Sequence, residues 1–370
     1  MKYIYFFYSI FIVFIVLFSY LFIDPNLSYL RMFYTGFSFT NRLITTLFFV
    51  LFIVVFFVFY LLFIKIKKIN LSYVKNLVLI SAVCLTFSYP TVTSYDIFNY
   101  MSSARVAYYY KENPYMVMPN EFIGDEMLSY TRASNKTVLY GPVWVILTSV
   151  PYVLGFSNFF ATLLLFKVLV GMFYLGLVFL IYNLSQKNLQ KTLFFALNPL
   201  VLLETFVAGH NDVVMIFFTV LSYYFLTKKK ISLSVLFLIL SILIKFATLI
   251  LIPVYIFVIY KILKKEKFDF QKLWIYSFLL MAIVFLLSPL REELYPWYAI
   301  WLIPFVSLMD GHKTLKRIIV AFCFGLLLSY VPYMLTGVYS LNTYVAKHIL
   351  IIIPIALTLL FGFFKHEKNI

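Results

Sequence analysis

Four short polar groups interrupt an otherwise apolar chain, and these are the places where chemistry could occur. The first is Ser94-Tyr95-Asp96-Ile97-Phe98-Asn99-Tyr100, followed by Arg105 and by Glu112-Asn113-Pro114-Tyr115. The second is Tyr140-Gly141-Pro142-Val143-Trp144. The third joins Asn198-Pro199 and Glu204 to Gly209-His210-Asn211-Asp212. The fourth joins Lys245 to Arg291-Glu292-Glu293 and Tyr295-Pro296-Trp297-Tyr298. Charges at membrane depth cost about 2.5–3.5 kcal/mol each at a helix centre on insertion scales, so within a lipid-embedded chain they mark function by default. Asp96 sits where the third span leaves the membrane, so its carboxylate can be shielded from bulk water and can face the bilayer surface. Lys245 is a cation at the depth where a lipid-linked phosphate would lie. The aromatic side chains offer broad faces with polar handles.

Each group also has a plain structural alternative. Asp96 could serve as the N-cap of a helix 97–110. Proline in a first helical turn and tryptophan at an interface are ordinary, which accounts for Pro142 and Trp144. A tight turn needs Gly209 and Asn211, but it leaves His210 and Asp212 unexplained together. That pair could bind a phosphate, a sugar hydroxyl or a metal, yet one His with one or two acids does not specify zinc. Lys245 divides 231–262 into two runs short for spanning. It marks a broken helix or a turn at the membrane surface, unless its long side chain simply snorkels. Tyr295, Trp297 and Tyr298 read either as an interfacial belt or as a stacking surface for a sugar or a lipid chain.

The elements that must position these residues are membrane helices. Of the 370 residues 64% are hydrophobic and 12% charged, against about 45–50% and about 25% in soluble domains. Apolar runs of about 17–25 residues read as spans, and twelve are expected: 3–23, 43–64, 77–93, 158–184, 192–208, 213–227, 231–244, 247–262, 273–290, 294–309, 317–336 and 346–364. The first has no small-residue cleavage site before Asp24-Pro25 and is read as an anchor rather than a signal peptide. Residues 94–142 form a long polar loop. The apolar stretch 140–156 is short and broken by Pro142, Pro151 and Gly155, and is expected to lie in the interface. Cys84 and Cys323 both sit in apolar runs and give no disulfide framework.

Charge decides orientation. The net charge is +16, from 30 Lys and Arg against 14 Asp and Glu. In a soluble protein such a surplus would point to nucleic acid, but here it belongs in cytoplasmic loops. With both termini cytoplasmic, the inner segments hold 20 basic residues against Glu266, Asp269, Asp310 and Glu367, which is the whole surplus. The outer side holds ten of each sign. All four polar groups fall there. One membrane domain, 1–370, is expected, with no soluble domain and no visible internal repeat.

Taken in order, the four groups resemble those of the GT-C membrane glycosyltransferases that use polyprenyl-phosphate sugars. The resemblance is closest to glycosyltransferase family 87, with its polyprenyl-phosphomannose-dependent mannosyltransferases. It rests on Asp96, Tyr100, Arg105 and Asn113-Pro114-Tyr115, then Tyr140-Gly141-Pro142, Asn198-Pro199, Gly209 to Asp212, Lys245 and Pro296 to Tyr298. It covers about 94–300. The resemblance implies an all-α polytopic protein of GT-C-like fold, with interfacial helices in its long outer loop and a catalytic module at 77–300. Residues 1–76 form a two-helix extension before that module and 301–370 the C-terminal helices. It further implies Asp96 as general base, and Lys245, Arg291, Arg105 and His210 around the donor phosphate. Tyr100, Tyr115, Tyr140, Asn211, Asp212, Tyr295, Trp297 and Tyr298 would hold sugar or acceptor. The more distant GPI mannosyltransferases carry an Asp-x-Asp pair, but position 94 is Ser, so one carboxylate works alone. The implied reaction is inverting transfer of a hexose, mannose favoured, from a polyprenyl-phosphate donor to a glycolipid or cell-envelope glycan, at the outer face of the cell membrane. Membrane lipids are the other expected partners; no nucleic acid, cofactor or metal is expected. A transporter or flippase of a lipid-linked or small polar substrate is the alternative, because an intramembrane Lys in a broken helix suits that class too.

Overall fold

The computed structural model describes residues 2–24, 36–66, 68–290 and 293–367, and every regular element in them is helical. Among the described residues seven helices are long and apolar enough to cross a membrane: Tyr3–Phe22, Arg42–Lys65, Phe159–Leu184, Phe246–Leu263, Phe270–Leu290, Lys313–Thr336 and Leu341–Leu360. Helices apolar on all sides have no face to offer water and belong in lipid or against one another. Several starts are fixed by side-chain caps, which satisfy backbone N–H groups left unpaired in a first turn. Asn70 accepts from Tyr73, Asn158 from Ala161, Asn188 from Lys191 and Asp269 from Gln271.

The expected twelve spans are not reproduced. Runs 192–208 and 213–227 become the bent pair Pro199–Val207 and Asp212–Thr227, which adds at most one span to the seven. Runs 77–93, 231–244 and 294–309 become the shorter helices Leu71–Thr86, Ile231–Ile242 and Pro296–Leu308. The physical reason lies in the polar groups themselves. Gly209 to Asp212 and Lys245 each interrupt the helix inside an apolar run, Pro296 opens a new short one, and hydropathy averaged over a window passes across such breaks. The stretch around Pro142 forms the helix Pro142–Leu154, only 13 residues long. At 1.5 Å per residue it reaches about 20 Å, short of a bilayer core.

The long helices place two unlike ends on the bundle. At one end Gln190 Nε2 donates to Ile66 O at 3.1 Å, and Lys191 Nζ meets Asp310 at 2.7 Å. Gln271 and Asp310 exchange hydrogen bonds at 2.7 and 3.1 Å at that same end. At the other, Arg132 meets Asp24 at 3.5 Å, Arg42 donates to Met334 O at 3.3 Å, and Lys347 pairs with Glu293. The long loop and the four polar groups belong to this second end.

Candidate active site

The site begins with a hinge. Asn198 caps the first turn of Pro199–Leu202 by accepting from Leu200 N at 3.0 Å. The helix then widens into a π turn, Leu203–Val207, where Ala208 N reaches back to Leu203 O, and single π turns recur at functional sites. His210 N closes the turn on Glu204 O at 2.9 Å. Gly209 reverses the chain at φ +77°, a conformation costly for residues with a Cβ. A Cβ there would also stand 2.6 Å from Ile97 Cδ1, so the hinge is seated directly on the helix Asp96–Tyr108. The two helices meet at a bend of 117°, which leaves Glu204, His210, Asn211 and Asp212 fully buried at its apex.

His210 lies between two carboxylates. Its Nδ1 is 3.6 Å from Asp96 Oδ2 and its Nε2 is 3.3 Å from Glu204 Oε2. A neutral imidazole carries one N–H and can donate to only one of them. Neither ring nitrogen completes a hydrogen bond among the described residues, so the ring stands between the two acids without being held by either. Glu204 also accepts from Tyr330 at 2.9 Å. Trp297 stacks on the imidazole at 4.0 Å and Tyr295 stacks on Trp297 at 4.5 Å, so a ladder of rings leads to His210. Asp96 opens its helix, but the N-cap position is Tyr95, which makes no side-chain cap. The Asp96 carboxylate instead accepts from Asn99 Nδ2 at 3.3 Å, and with 27% of its side chain exposed it is the accessible acid of the cluster.

Lys245 supplies the cation. The break it makes is real: the backbone is extended there, between Ile231–Ile242 and the 3-10 turn Phe246–Leu251. Its ammonium donates to Asp212 Oδ1 at 2.8 Å and lies 4.6 Å from the ring centre of Tyr298. Trp301 Nε1 donates to the same carboxylate oxygen at 2.6 Å. Asp212 Oδ2 and Asn211 Nδ2 are buried and have no hydrogen-bond partner among the described residues. In the 3-10 turn Pro296–Trp301 side chains three apart lie on one face, which stacks Tyr298 on Trp301 at 4.2 Å.

The second polar group holds the break in place. Gly141 N donates to Ile244 O at 2.9 Å and Val143 N to Leu243 O at 3.0 Å. A Cβ on Gly141 would fall 2.1 Å from Leu243 O, so only glycine allows this approach. Tyr140 and Trp144 meet the Tyr100 ring edge to face at 4.9 and 5.1 Å, and Tyr100 donates to Asn211 Oδ1 at 3.4 Å. Burial pushes the Tyr100 and Tyr140 phenols well above their ordinary range, which keeps both as donors.

Not every residue singled out from the sequence joins this cluster. Arg105 follows Asp96 by nine residues on one helix, roughly half a turn out of phase. It pairs with Asp125 at 2.5 Å, alongside the Tyr110 hydroxyl at 2.6 Å. Burial works against its charge, but Asp125 outweighs that and leaves the guanidinium more basic than usual. Tyr115 donates to Tyr140 O at 2.9 Å and so ties the loop to the second group. Arg291 lies outside the described residues. Sequence reasoning assigned no role to Glu204, although an acid in an apolar run is itself a signal. It named Asn99 without a role and passed over Trp301 and Tyr330, whose types are ordinary for their surroundings. Among the described residues no three of His, Cys, Asp and Glu converge as a metal site would.

Three acids, an imidazole and an ammonium thus gather where the membrane helices break, with Glu204, His210 and Asp212 fully buried and Asp96 and Lys245 partly exposed. The profile of the MptA_B family, described as alpha-(1->6)-mannopyranosyltransferase, N-terminal domain, matches residues 23–261, well over half the chain. The chain belongs to that family and is a mannosyltransferase. No curated protein and no solved structure matches it.

Proposed function

We propose that the chain moves mannose from a polyprenyl-phosphate donor, with inversion and in the 1→6 linkage of its family, to a glycolipid or cell-envelope glycan at the outer membrane face. The observation that carries this reading is Asp96, an accessible carboxylate set against the buried His210 at the mouth of a cluster that also holds Lys245. Asp96 takes the proton from the acceptor hydroxyl as that oxygen attacks the anomeric carbon. One carboxylate suffices because no glycosyl-enzyme intermediate forms. Lys245 has three N–H donors and spends one on Asp212, leaving the others for the departing lipid phosphate. His210 stands between the base and Glu204, 3.6 Å from one and 3.3 Å from the other. Trp297, Tyr295 and Tyr298 give the sugars a stacking surface, and Tyr100, Tyr140, Asn211 and Asp212 the polar contacts. Charge supports the outer face: the end opposite the site carries the Lys-rich turns that cytoplasmic loops collect.

In this reading the catalytic module is 77–300, with 1–76 before it and 301–370 after it. The test is incubation of the purified, lipid-reconstituted protein with a panel of polyprenyl-phosphate sugars and mass spectrometry of the extracted glycolipids. Mannose transfer from the polyprenyl-phosphate donor alone is expected. Transfer from a nucleotide sugar, or substrate translocation without transfer, would overturn the reading.

A further inference from the structure

The family match begins at residue 23, so the N-terminal helix Lys2–Ser19 lies wholly outside it. The end of that helix nevertheless holds the segment that leads into Asp96. Tyr20 donates to Phe87 O at 2.7 Å, Ser19 Oγ accepts from Tyr89 N at 2.7 Å, and Thr91 Oγ1 donates to Phe22 O at 2.6 Å. Residues 87–95 contain only the 3-10 turn Pro90–Val92 and have no helical ladder of their own. Buried backbone groups must be paired somewhere, and here the pairing comes from side chains of a different element or goes to its backbone. The fully buried Lys167 adds a fourth tie, donating to the Ser88 carbonyl and, at 3.1 Å, to Ser88 Oγ.

A second arm reaches Asp96 from the other side. Asp24, buried at the end of the same N-terminal segment, meets Arg132 at 3.5 Å, and Arg132 covers the Tyr95 ring at 4.3 Å. The backbone N–H groups of Arg132 and Ala133 both donate to Asn99 Oδ1 at 3.1 Å. Asn99 in turn donates from Nδ2 to Asp96 Oδ1 at 3.3 Å. The residues before Asp96 and the residue one turn after it are thus fastened to one anchor.

We propose that Ser19 to Asp24 form a positioning clamp that sets the Asp96 carboxylate against the acceptor, through residues 87–95 on one side and through Arg132 and Asn99 on the other. This rests on Asp96 being the base. A general base works only within hydrogen-bond reach of its proton, and a misplacement of about 1 Å can cost about a hundredfold in rate. No clamp residue belongs to the cluster around Lys245 and His210, so the clamp acts on turnover and not on substrate affinity.

The experiment uses the full chain in lipid nanodiscs, with polyprenyl-phosphomannose as donor and an alkyl mannoside as acceptor probe. Ser19→Ala combined with Thr91→Val is expected to lower kcat roughly ten- to a hundredfold while leaving both KM values within about twofold, and Thr91→Ser is expected to restore turnover. Asp96→Asn is measured in parallel. If Asp96→Asn is inactive while the clamp variant keeps wild-type kcat, the clamp is wrong and the base assignment stands. If Asp96→Asn turns over normally, the base assignment falls and the clamp falls with it. A raised KM at unchanged kcat also overturns the clamp. Should the double variant fail to fold, Arg132→Gln on the more exposed arm takes its place, with lowered kcat expected and unchanged kcat overturning the proposal.

Discussion

The two ends of the bundle use charge differently, although the Lys-rich end also holds the ion pairs Lys191–Asp310 and Lys261–Glu266. At the Lys-rich end the basic residues sit at tight turns, where Lys187, Lys229 and Lys265 adopt left-handed backbone conformations and Lys228, Lys229 and Lys230 follow one another with no acid between them. At the other end cations and acids come in pairs, Asp24 with Arg132, Arg105 with Asp125, Lys245 with Asp212 and Lys347 with Glu293. The first arrangement needs only a sum of charge, because orientation in a membrane depends on how many basic residues a short loop carries. The second needs position, because a buried charge is tolerated only with its partner in place. The helices differ in the same sense. Long unbroken ones separate the two ends, while the breaks at Gly209 to Asp212 and at Lys245 fall at the residues of the site.

This contrast can be broken by substitution. The largest effect is expected at Asp96: Asp96→Asn loses about 10²–10⁴-fold in kcat as a missing general base would, with near-normal expression and melting. A fully active variant would remove the base from the proposal. Next comes Lys245→Ala, expected to cut donor use about ten- to a hundredfold with a smaller effect in acceptor titrations. It also strips Asp212 of its counter-charge, so the double variant Lys245→Met with Asp212→Asn is expected to recover melting temperature without recovering turnover. Equal effects on donor and acceptor would reduce Lys245 to a structural ion pair. Gly141→Ala follows, destabilised by about 1–3 kcal/mol in thermal melts because the new methyl meets Leu243 O; an unchanged melt would mean that the 141–143 and 243–244 pairing is loose. Smallest is replacement of Lys228, Lys229 and Lys230 by Gln, expected to change kcat less than about twofold, since summed charge at that end does not reach the site. A large loss there would blur the division between the ends. Chelation by EDTA is expected to leave transfer unchanged, and restoration of a lost activity by a divalent ion would demand a different mechanism.

The polar groups were legible because lipid makes them costly: Asp96, His210, Asp212 and Lys245 stand out against apolar neighbours, and the structure brings them together. The break at Lys245 was legible for the same reason. The twelve-span count was not, since a window average does not register a helix that ends within an apolar run. Trp301 and Tyr330 look like any other membrane aromatics, and only the tertiary fold aims their N–H and O–H at Asp212 and Glu204. Arg105 shows the converse limit. Its chemistry suits a phosphate, yet helical phase turns it away from Asp96 and toward an acid of the loop, a partner no spacing rule could name.

The aromatic packing of the site has an optical consequence. The chain has four tryptophans. Trp144 meets Tyr100, Trp297 lies on His210 and Trp301 donates to Asp212, while Trp274 alone sits in the long helix Phe270–Leu287. Three of the four tryptophans therefore pack within the candidate site, one of them stacked on the imidazole of His210. The tryptophan emission of the unlabelled protein is expected to change when a ligand enters the site, which a titration without an attached probe would measure.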